Sequence, residues 1–210
     1  MKLNVAKCTF MLFNPTHNYD FIPQLQIQGT NIETMEEMKL LGLTLTNDLK
    51  WHANTEAMVK KAYSRLWMIR RLKKHGANLI DLKGVFLKQI RSILEFGLPV
   101  WNPGLTKGEA MDIERVQKAF LHIALKEDFQ CYSEALVKAD LETLESRRAQ
   151  LCATFAREST KHTKHVSLLK LNKGGPDTRS AKPEYKLPLH RLARYRDSHI
   201  PYLTNLLNTT

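Results

Sequence analysis

Cysteine is scarce in this chain, which holds three copies in 210 residues, Cys8, Cys131 and Cys152. Their odd number and wide spacing exclude the disulfide framework that holds small secreted domains together, so we expect an intracellular protein, cytoplasmic or nuclear. No uncharged apolar stretch approaches 18 residues, so no membrane span is expected. Lys2 and Lys7 interrupt the apolar run at the N-terminus, which therefore does not resemble a signal peptide.

Recognisable enzyme signatures are also missing. The sequence has no glycine-rich phosphate loop, no G-x-S-x-G motif and no Asp-Asp pair. Two carboxylate pairs, Asp112 with Glu114 and Asp140 with Glu142, lie two residues apart on helical patterns, where side chains point away from each other. We interpret both pairs as solvated surface.

The sequence also offers little to a metal ion. His162 and His165 are three residues apart and Cys152 lies upstream, but a zinc site needs a fourth ligand at suitable spacing and none is evident. A basic solvated face is favoured instead, and no cofactor is expected for this chain. Cys8 lies in an apolar strand pattern and is expected to be buried rather than reactive.

Positive charge is what the chain has in excess. Lys and Arg number 32 against 21 Asp and Glu, a formal net charge of +11. The imbalance is strongest in residues 157–210, which hold 11 basic and 4 acidic side chains. A polyanion is therefore a suitable partner, although charge alone says nothing about the fold.

Two kinds of periodicity divide the chain. The first 46 residues favour strands: 8–13, 25–33 around a turn at 29–31, and 38–46 as a third strand. From Trp51 to Gly76 the apolar period becomes helical. The apolar positions of this helix are Met58, Ala62, Leu66, Ile69 and Leu72.

Further helices are expected downstream. One covers 79–97, and another opens with a capping box at Thr106 and Glu109. Shorter helical patterns cover 133–139 and 142–165, a loop covers 171–188, and a short helix is expected within 191–208. We therefore predict an α+β chain with a small β region at 1–47, a helical domain at 48–169 and a basic, partly disordered linker and tail at 170–210.

Several segments in this order resemble one family. They are LNVAKCTFMLF, LQIQGTNIE, MKLLGLTLTNDLKWHANTEAMVKKA, SILEFGLPVWNP, IERVQKAFLHIAL, LETLESRR and LPLHRLARYRDSHIPYLTNLLN. Together they resemble the C-terminal part of reverse transcriptases, the RNA-directed DNA polymerases, of non-long-terminal-repeat (jockey/LINE-type) retrotransposons. The resemblance implies the end of a polymerase palm, a primer-grip hairpin and a helical thumb that holds the template–primer duplex.

The departure from the family concerns catalysis. Family members hold two Mg²⁺ ions with palm carboxylates that lie upstream of the matching region, in part on an Asp-Asp hairpin. Lys7 matches the palm lysine that resembles a proton donor to pyrophosphate, but here it lacks the metal site. We therefore interpret Met1 as an internal start that removed the active site. The chain is expected to be no enzyme on its own, with Mg²⁺ belonging to the full-length family enzyme.

The helix that starts near Trp51 carries the clearest binding signal. At about 100° per residue, Lys60, Trp67, Arg71 and Lys74 fall opposite its apolar side, with Lys61 beside them. Cations interleaved with an aromatic ring suit a phosphate backbone and its bases. The alternative is a solvated helix face on which Trp67 packs against a neighbour.

The strand before this helix matches the family's primer-grip position at Leu41, Gly42 and Leu43. Gly42 would let a nucleic-acid backbone approach closely, whereas the alternative is a core strand with a bulge. Trp51 and Trp101 are interpreted as core or interface aromatics. The leading function is a truncated fragment of a transposable element that weakly binds an RNA/DNA duplex. The alternatives are a protein-interaction module, with its partner at the exposed palm edge, and a fragment without independent function.

Overall fold

The computed structural model describes residues 3–13, 23–172, 184–189, 193–196 and 198–209. The chain has the expected α+β composition, with short strands followed by many helices. Contacts divide it into two compact units, Met1–Ala57 and Met58–Thr210. The predicted domain boundaries near 47 and 169 stay predictions.

Short paired strands form most of the first unit. They are β1 (Thr9–Phe10), β2 (Gln26–Ile27), β3 (Thr30–Asn31), β4 (Glu33–Thr34), β5 (Glu37–Leu40) and β6 (Leu43–Thr46). Strand β1 pairs in parallel with β4, while β2 with β3 and β5 with β6 form antiparallel hairpins. The strand predicted over 8–13 is thus confined to two residues. The turn predicted at 29–31 lies at Gln28 and Gly29.

The single strand predicted over 38–46 is wrong, because the chain reverses in the middle of it. Leu41 and Gly42 have φ values of 48° and 89°, and they form the two-residue turn between β5 and β6. Such left-handed turns match the twist of hairpin strands. A leucine in this conformation is unusual, so the local sequence carried no turn signal.

Polar contacts hold the end of this hairpin. The Thr44 amide donates to Asn54 Oδ1 at 3.1 Å. Asp48 accepts hydrogen bonds from the Thr46 hydroxyl and the Lys50 amide, and it forms an ion pair with the Lys50 ammonium at 2.9 Å. Burial opposes ionisation of Asp48, but these contacts with Lys50 and Thr46 outweigh it and hold its pKa well below the usual range.

The first unit has little core of its own. Among its described residues the buried side chains are the polar Asn54 and Thr55, and no apolar side chain is buried to the same extent. Leu40 and Leu41, at the hairpin turn, are 50% and 89% exposed. The hydrophobic effect therefore contributes much less to this unit than to the second one.

Helices build the second unit, and the first of them begins in the first unit. They are α1 (His52–Lys74), α2 (Leu79–Val85), α3 (Ser92–Glu95), α4 (Leu98–Trp101), α5 (Lys107–Leu125), α6 (Tyr132–Ala139), α7 (Leu144–Ser159), α8 (Thr163–Val166), α9 (Ala193–Arg196) and α10 (His199–Thr209). A π-helical segment, Phe86–Arg91, joins α2 to α3, so the predicted helix at 79–97 is essentially continuous. The helix predicted over 142–165 is interrupted between Ser159 and Thr163.

Local capping signals set several helix ends. The predicted capping box is confirmed: the Thr106 amide donates to Glu109 Oε2 at 2.8 Å, and the Glu109 amide donates to Thr106 Oγ1 at 3.3 Å. The side chains of Asn78 and Thr143 cap α2 and α7 in the same way. Gly76, with φ of 86°, follows the end of α1 as predicted.

The core of the second unit centres on two stacked rings. Phe86 and Phe120 lie 4.2 Å apart between ring centroids with an angle of 14° between their planes. Trp101 is fully buried as predicted, and its indole N–H donates to the Phe96 carbonyl at 2.8 Å. Helix α1 contributes Met58, Ala62, Leu66 and Ile69 to the buried set, whereas Leu72, predicted on the same face, is 37% exposed.

The C-terminal helix α10 packs on α7 and α4. The Asn102 amide donates to the Tyr202 hydroxyl at 3.2 Å, and the His199 ring contacts the Pro99 carbonyl at 2.9 Å. This confirms the helix predicted within 191–208 and shows that its residues belong to the helical unit. The disorder predicted for the tail falls mainly on 173–183, which lie outside the described residues.

Glu114 corrects the interpretation of the first carboxylate pair as solvated surface. Its carboxylate accepts a hydrogen bond from the Tyr132 hydroxyl, and it accepts the amides of Leu144 and Glu145 at 3.0 and 3.2 Å. It therefore ties α5 to α6 and to the first turn of α7. Burial and this hydrogen bond raise the pKa of Tyr132. Asp112, in contrast, pairs with Arg115 at the surface.

Replacing these two carboxylates should therefore have unequal effects. We expect Glu114→Ala to lower the free energy of unfolding by about 1–3 kcal/mol, because it leaves partly buried donors without their acceptor. Asp112→Ala, on the same helix, should change it by less than about 0.5 kcal/mol. Urea unfolding followed by circular dichroism measures both, and equal losses would contradict the capping role of Glu114.

Candidate nucleic-acid interface

The predicted cationic residues form one stripe along α1. Lys60, Trp67, Arg71 and Lys74 follow helical spacing on the side opposite the buried Met58, Ala62, Leu66 and Ile69, and all four are exposed. We call these four residues the α1 stripe. At ~1.5 Å per residue it is about 21 Å long, or about six base-pair steps of ~3.4 Å.

The cations of the stripe form no ion pair with a described residue. Within the described ranges, no ion pair includes Lys60, Arg71, Lys74 or the neighbouring Lys61. An unpaired exposed cation keeps its full field for an incoming anion.

Other cations of the helical unit are already neutralised. A polar groove of about 500 Å³ is lined in part by Lys83, Arg91 and Arg147. Lys83 pairs with Asp140 at 2.9 Å, while Arg91 and Arg147 share Glu95 at 3.3 and 3.1 Å. The groove is therefore a poorer site for an anion than α1.

Two further side chains flank the stripe, and neither is among the residues predicted from the sequence. Arg70 is exposed and lies about 80° from Lys60 around the helix, next to Tyr63, which is 38% exposed. Burial raises the pKa of Tyr63, with nearby Arg115 opposing and Asp112 reinforcing the shift. The sequence does contain a signal for Arg70, because it directly precedes the predicted Arg71. Lys61 lies on the other flank.

Trp67 is available for contact with a ligand. It is 54% exposed, whereas Trp101 is fully buried. Partial exposure fits both contact with a ligand and the alternative, a solvated helix face on which Trp67 packs against a neighbour. Trp51, in the first unit, has intermediate exposure.

Some of the cations near the end of α1 also have a structural role. Arg71, Lys73 and Lys74 lie in the last turn of α1, where a helix carries partial negative charge. Each favourable interaction of this kind contributes about 0.3–1 kcal/mol to helix stability. Tests of binding must therefore separate loss of contact from fraying of the helix end.

The residues matched to the primer grip occupy the turn of the β5–β6 hairpin. Leu41 and Gly42 are exposed and Leu43, at the start of β6, has intermediate exposure. Gly42 is a turn residue with positive φ, so the alternative of a core strand with a bulge is wrong. Its small size leaves the backbone open at this turn.

The remaining candidates do not assemble into a metal centre. In the part of the chain that the structure describes, no group of three His, Cys, Asp or Glu side chains could hold a metal ion. Cys152 is buried and accepts from Asn102 Nδ2 at 3.5 Å, whereas His162 and His165 are exposed. Lys7 is exposed at the end of a short 3₁₀ turn. Cys8 is half-buried rather than buried, and its Sγ lies 3.3 Å from the Asn4 carbonyl.

Comparison with known proteins finds no relative: no protein-family model, no curated protein and no solved structure matches this chain. None of the helices in the described ranges has the length and apolar character needed to cross a bilayer.

The exposure of Trp67 generates a spectroscopic prediction. Titration with a 20-nucleotide single-stranded DNA should quench the tryptophan fluorescence, because bases stack on exposed indoles. Trp67→Phe should abolish this quenching, and Trp67→Ala should weaken binding by about 1–3 kcal/mol. Trp51→Phe is the matched control, and it should retain both the quenching and the affinity of wild type. Quenching that survives Trp67→Phe and disappears in Trp51→Phe would place the contact elsewhere.

Proposed function

We propose that this chain binds a nucleic-acid duplex through the α1 stripe, as a thumb-like fragment of a retrotransposon reverse transcriptase. The observation that carries the proposal is a row about 21 Å long, at ~1.5 Å per residue, of exposed cations that form no ion pair with a described residue, around an exposed tryptophan. Template–primer RNA/DNA is the expected partner. The family assignment draws on the segments quoted above.

Electrostatics favours this partner over a neutral one. Each cation that neutralises a phosphate releases condensed counterions, and this release supplies most of the affinity in sequence-independent binding. Along the helix Lys60 is about 16 Å from Arg71 and about 21 Å from Lys74, at ~1.5 Å per residue, so the three cations would reach separate phosphates of one duplex. The binding should therefore be weak at physiological salt and indifferent to base sequence.

The hairpin of the first unit supports the same proposal. The family resemblance implies a primer-grip hairpin in this region, and β5 and β6 form a hairpin with Gly42 at its turn. Gly42 carries no side chain, so a nucleic-acid strand could approach its backbone closely.

A protein-interaction module is the second candidate function, and a specific observation favours it. No apolar side chain is buried among the described residues of the first unit, and Leu40 and Leu41 are widely exposed. The two-residue strands β1 and β4 also leave edges that another chain can pair with. Association that persists at high salt would favour this candidate over phosphate contacts.

The salt dependence of duplex binding tests the α1 stripe. Replacing Lys60, Arg71 and Lys74 by glutamate should weaken binding of a 20-base-pair RNA/DNA duplex at low salt. It should also flatten the slope of log K against log salt by about two to three units, because each contact contributes about 0.9. Fluorescence anisotropy at several salt concentrations measures both quantities.

The matched control changes the charge equally at other helices. Lys88, Lys107 and Lys118 are exposed, and their replacement by glutamate should leave the slope nearly unchanged. A third variant with glutamine at Lys60, Arg71 and Lys74 removes charge without opposing the helix dipole, and circular dichroism reports helix content. Unchanged affinity and slope in the glutamate variant would mean that the stripe is merely solvated.

The chain should show no primer extension in Mg²⁺ or Mn²⁺. Polymerase chemistry needs clustered palm carboxylates to hold two metal ions, and this sequence has no Asp-Asp pair. Incorporation of labelled deoxynucleotides on a primed RNA template measures the activity. Incorporation that persists in a preparation of the Lys7→Ala variant would indicate a contaminant, whereas loss in that variant alone would contradict the proposal.

A further inference from the structure

A second group of exposed cations follows the end of α7. Arg157, Lys161, Lys164 and Lys170 are all exposed, as are His162 and His165 between them. We call these six residues the α7–α8 patch. Lys161 pairs with Glu158 at 2.7 Å, and the other three cations have no ion pair with a described residue. The patch therefore presents more positive than negative charge.

Two neighbouring segments add to the field of this patch. The Lys186 amide donates to the Lys170 carbonyl at 2.7 Å, and the Asn172 amide donates to the Glu184 carbonyl at 2.9 Å. These contacts bring the exposed Lys186 and Glu184 beside Lys170. Among the described residues, five cations and two carboxylates then lie in this region.

The histidines of the patch are arranged in a row of rings. The ring centroids of His162 and His165 are 5.6 Å apart, His165 and Phe155 are 6.4 Å apart, and Phe155 and His199 are 5.8 Å apart. His199 is the inner member, and its Nδ1–H donates to the Pro99 carbonyl. Burial lowers the pKa of His199. The hydrogen bond to the Pro99 carbonyl opposes this shift, and the electrostatic interaction with His165 reinforces it. His162 and His165 are the outer members that solvent reaches.

We propose that the α7–α8 patch is a second binding surface for a nucleic-acid phosphate backbone, and that His162 and His165 strengthen it as the pH falls. Histidine is the side chain that commonly gains its charge between pH 8 and pH 5. A phosphate group bound at this point would be attracted by Lys161, Lys164 and the two rings, whose centroids are 5.6 Å apart. The inference rests on the proposed function only in its choice of partner.

An anionic lipid surface is the competing partner, and the structure favours it less. Helices that lie in a membrane interface present a long apolar face with large anchoring side chains. Helix α8 is a single turn, and the exposed apolar residues in it and directly after it are Val166, Leu168 and Leu171. The patch lacks an exposed tryptophan or phenylalanine, since Phe155 has intermediate exposure.

The pH dependence of binding tests the role of the histidines. Wild type should bind a 20-base-pair DNA duplex about tenfold more tightly at pH 5.5 than at pH 7.5 in ~0.1 M salt, since each added contact contributes about 0.9 to the salt slope. His162→Ala with His165→Ala should remove most of this difference. The control, His122→Ala, removes an exposed histidine on another helix, away from both proposed surfaces, and should retain it.

The salt dependence tests the lysines separately. Lys164→Glu with Lys170→Glu should flatten the slope of log K against log salt by about two units at pH 5.5. Lys88→Glu with Lys118→Glu is the charge-matched control and should leave it unchanged. Circular dichroism at both pH values checks that each variant keeps its helices.

The outcomes separate this inference from the proposed function. Loss of binding in the α1 variant, with unchanged pH and salt dependence in both α7–α8 variants, overturns the inference and leaves the α1 stripe. Unchanged binding in the α1 variant, with reduced pH and salt dependence in the α7–α8 variants, overturns the α1 stripe and supports the inference. Absence of duplex binding at pH 5.5, or binding to vesicles of 70% phosphatidylcholine and 30% phosphatidylserine without duplex binding, also overturns the inference.

Discussion

Burial of one side of α1 is the constraint that decides which residues of this helix face solvent. Ala62, Leu66 and Ile69 are fully buried, and this fixes the rotation of the helix about its own axis. Once that rotation is fixed, residues about 180° away must face solvent. The direction of the α1 stripe is therefore a consequence of packing. Any partner of the stripe meets a surface that the hydrophobic core has oriented.

The predictable parts of the fold were those with local causes. The capping box at Thr106 and the glycine after α1 act within a few residues, so a single segment contains the whole signal. The apolar side of α1 repeats with the helical period and is equally visible. The hairpin turn at Leu41 was missed, because its left-handed conformation is imposed by pairing of β5 with β6 and not by the turn residue itself.

The same distinction applies to the site residues. Exposure of Lys60, Arg71 and Lys74 follows from helical spacing and could be predicted. The role of Glu114 could not, because its partners Tyr132 and Leu144 lie 18 and 30 residues away in the sequence. The row of rings in the α7–α8 patch likewise includes His199, which only the packing of α10 brings to Phe155. Contacts between distant helices are thus the part that spacing does not reveal.

The uneven distribution of the core also bears on how this sequence can change over time. Substitution of a side chain that is not buried usually alters stability little, whereas truncation of a buried one costs several kcal/mol, on the order of 2–5. The first unit has no buried apolar side chain among its described residues, and the second has many. Natural variants should therefore accumulate differences in the strands, including their leucines, while Phe86, Trp101 and Phe120 change rarely.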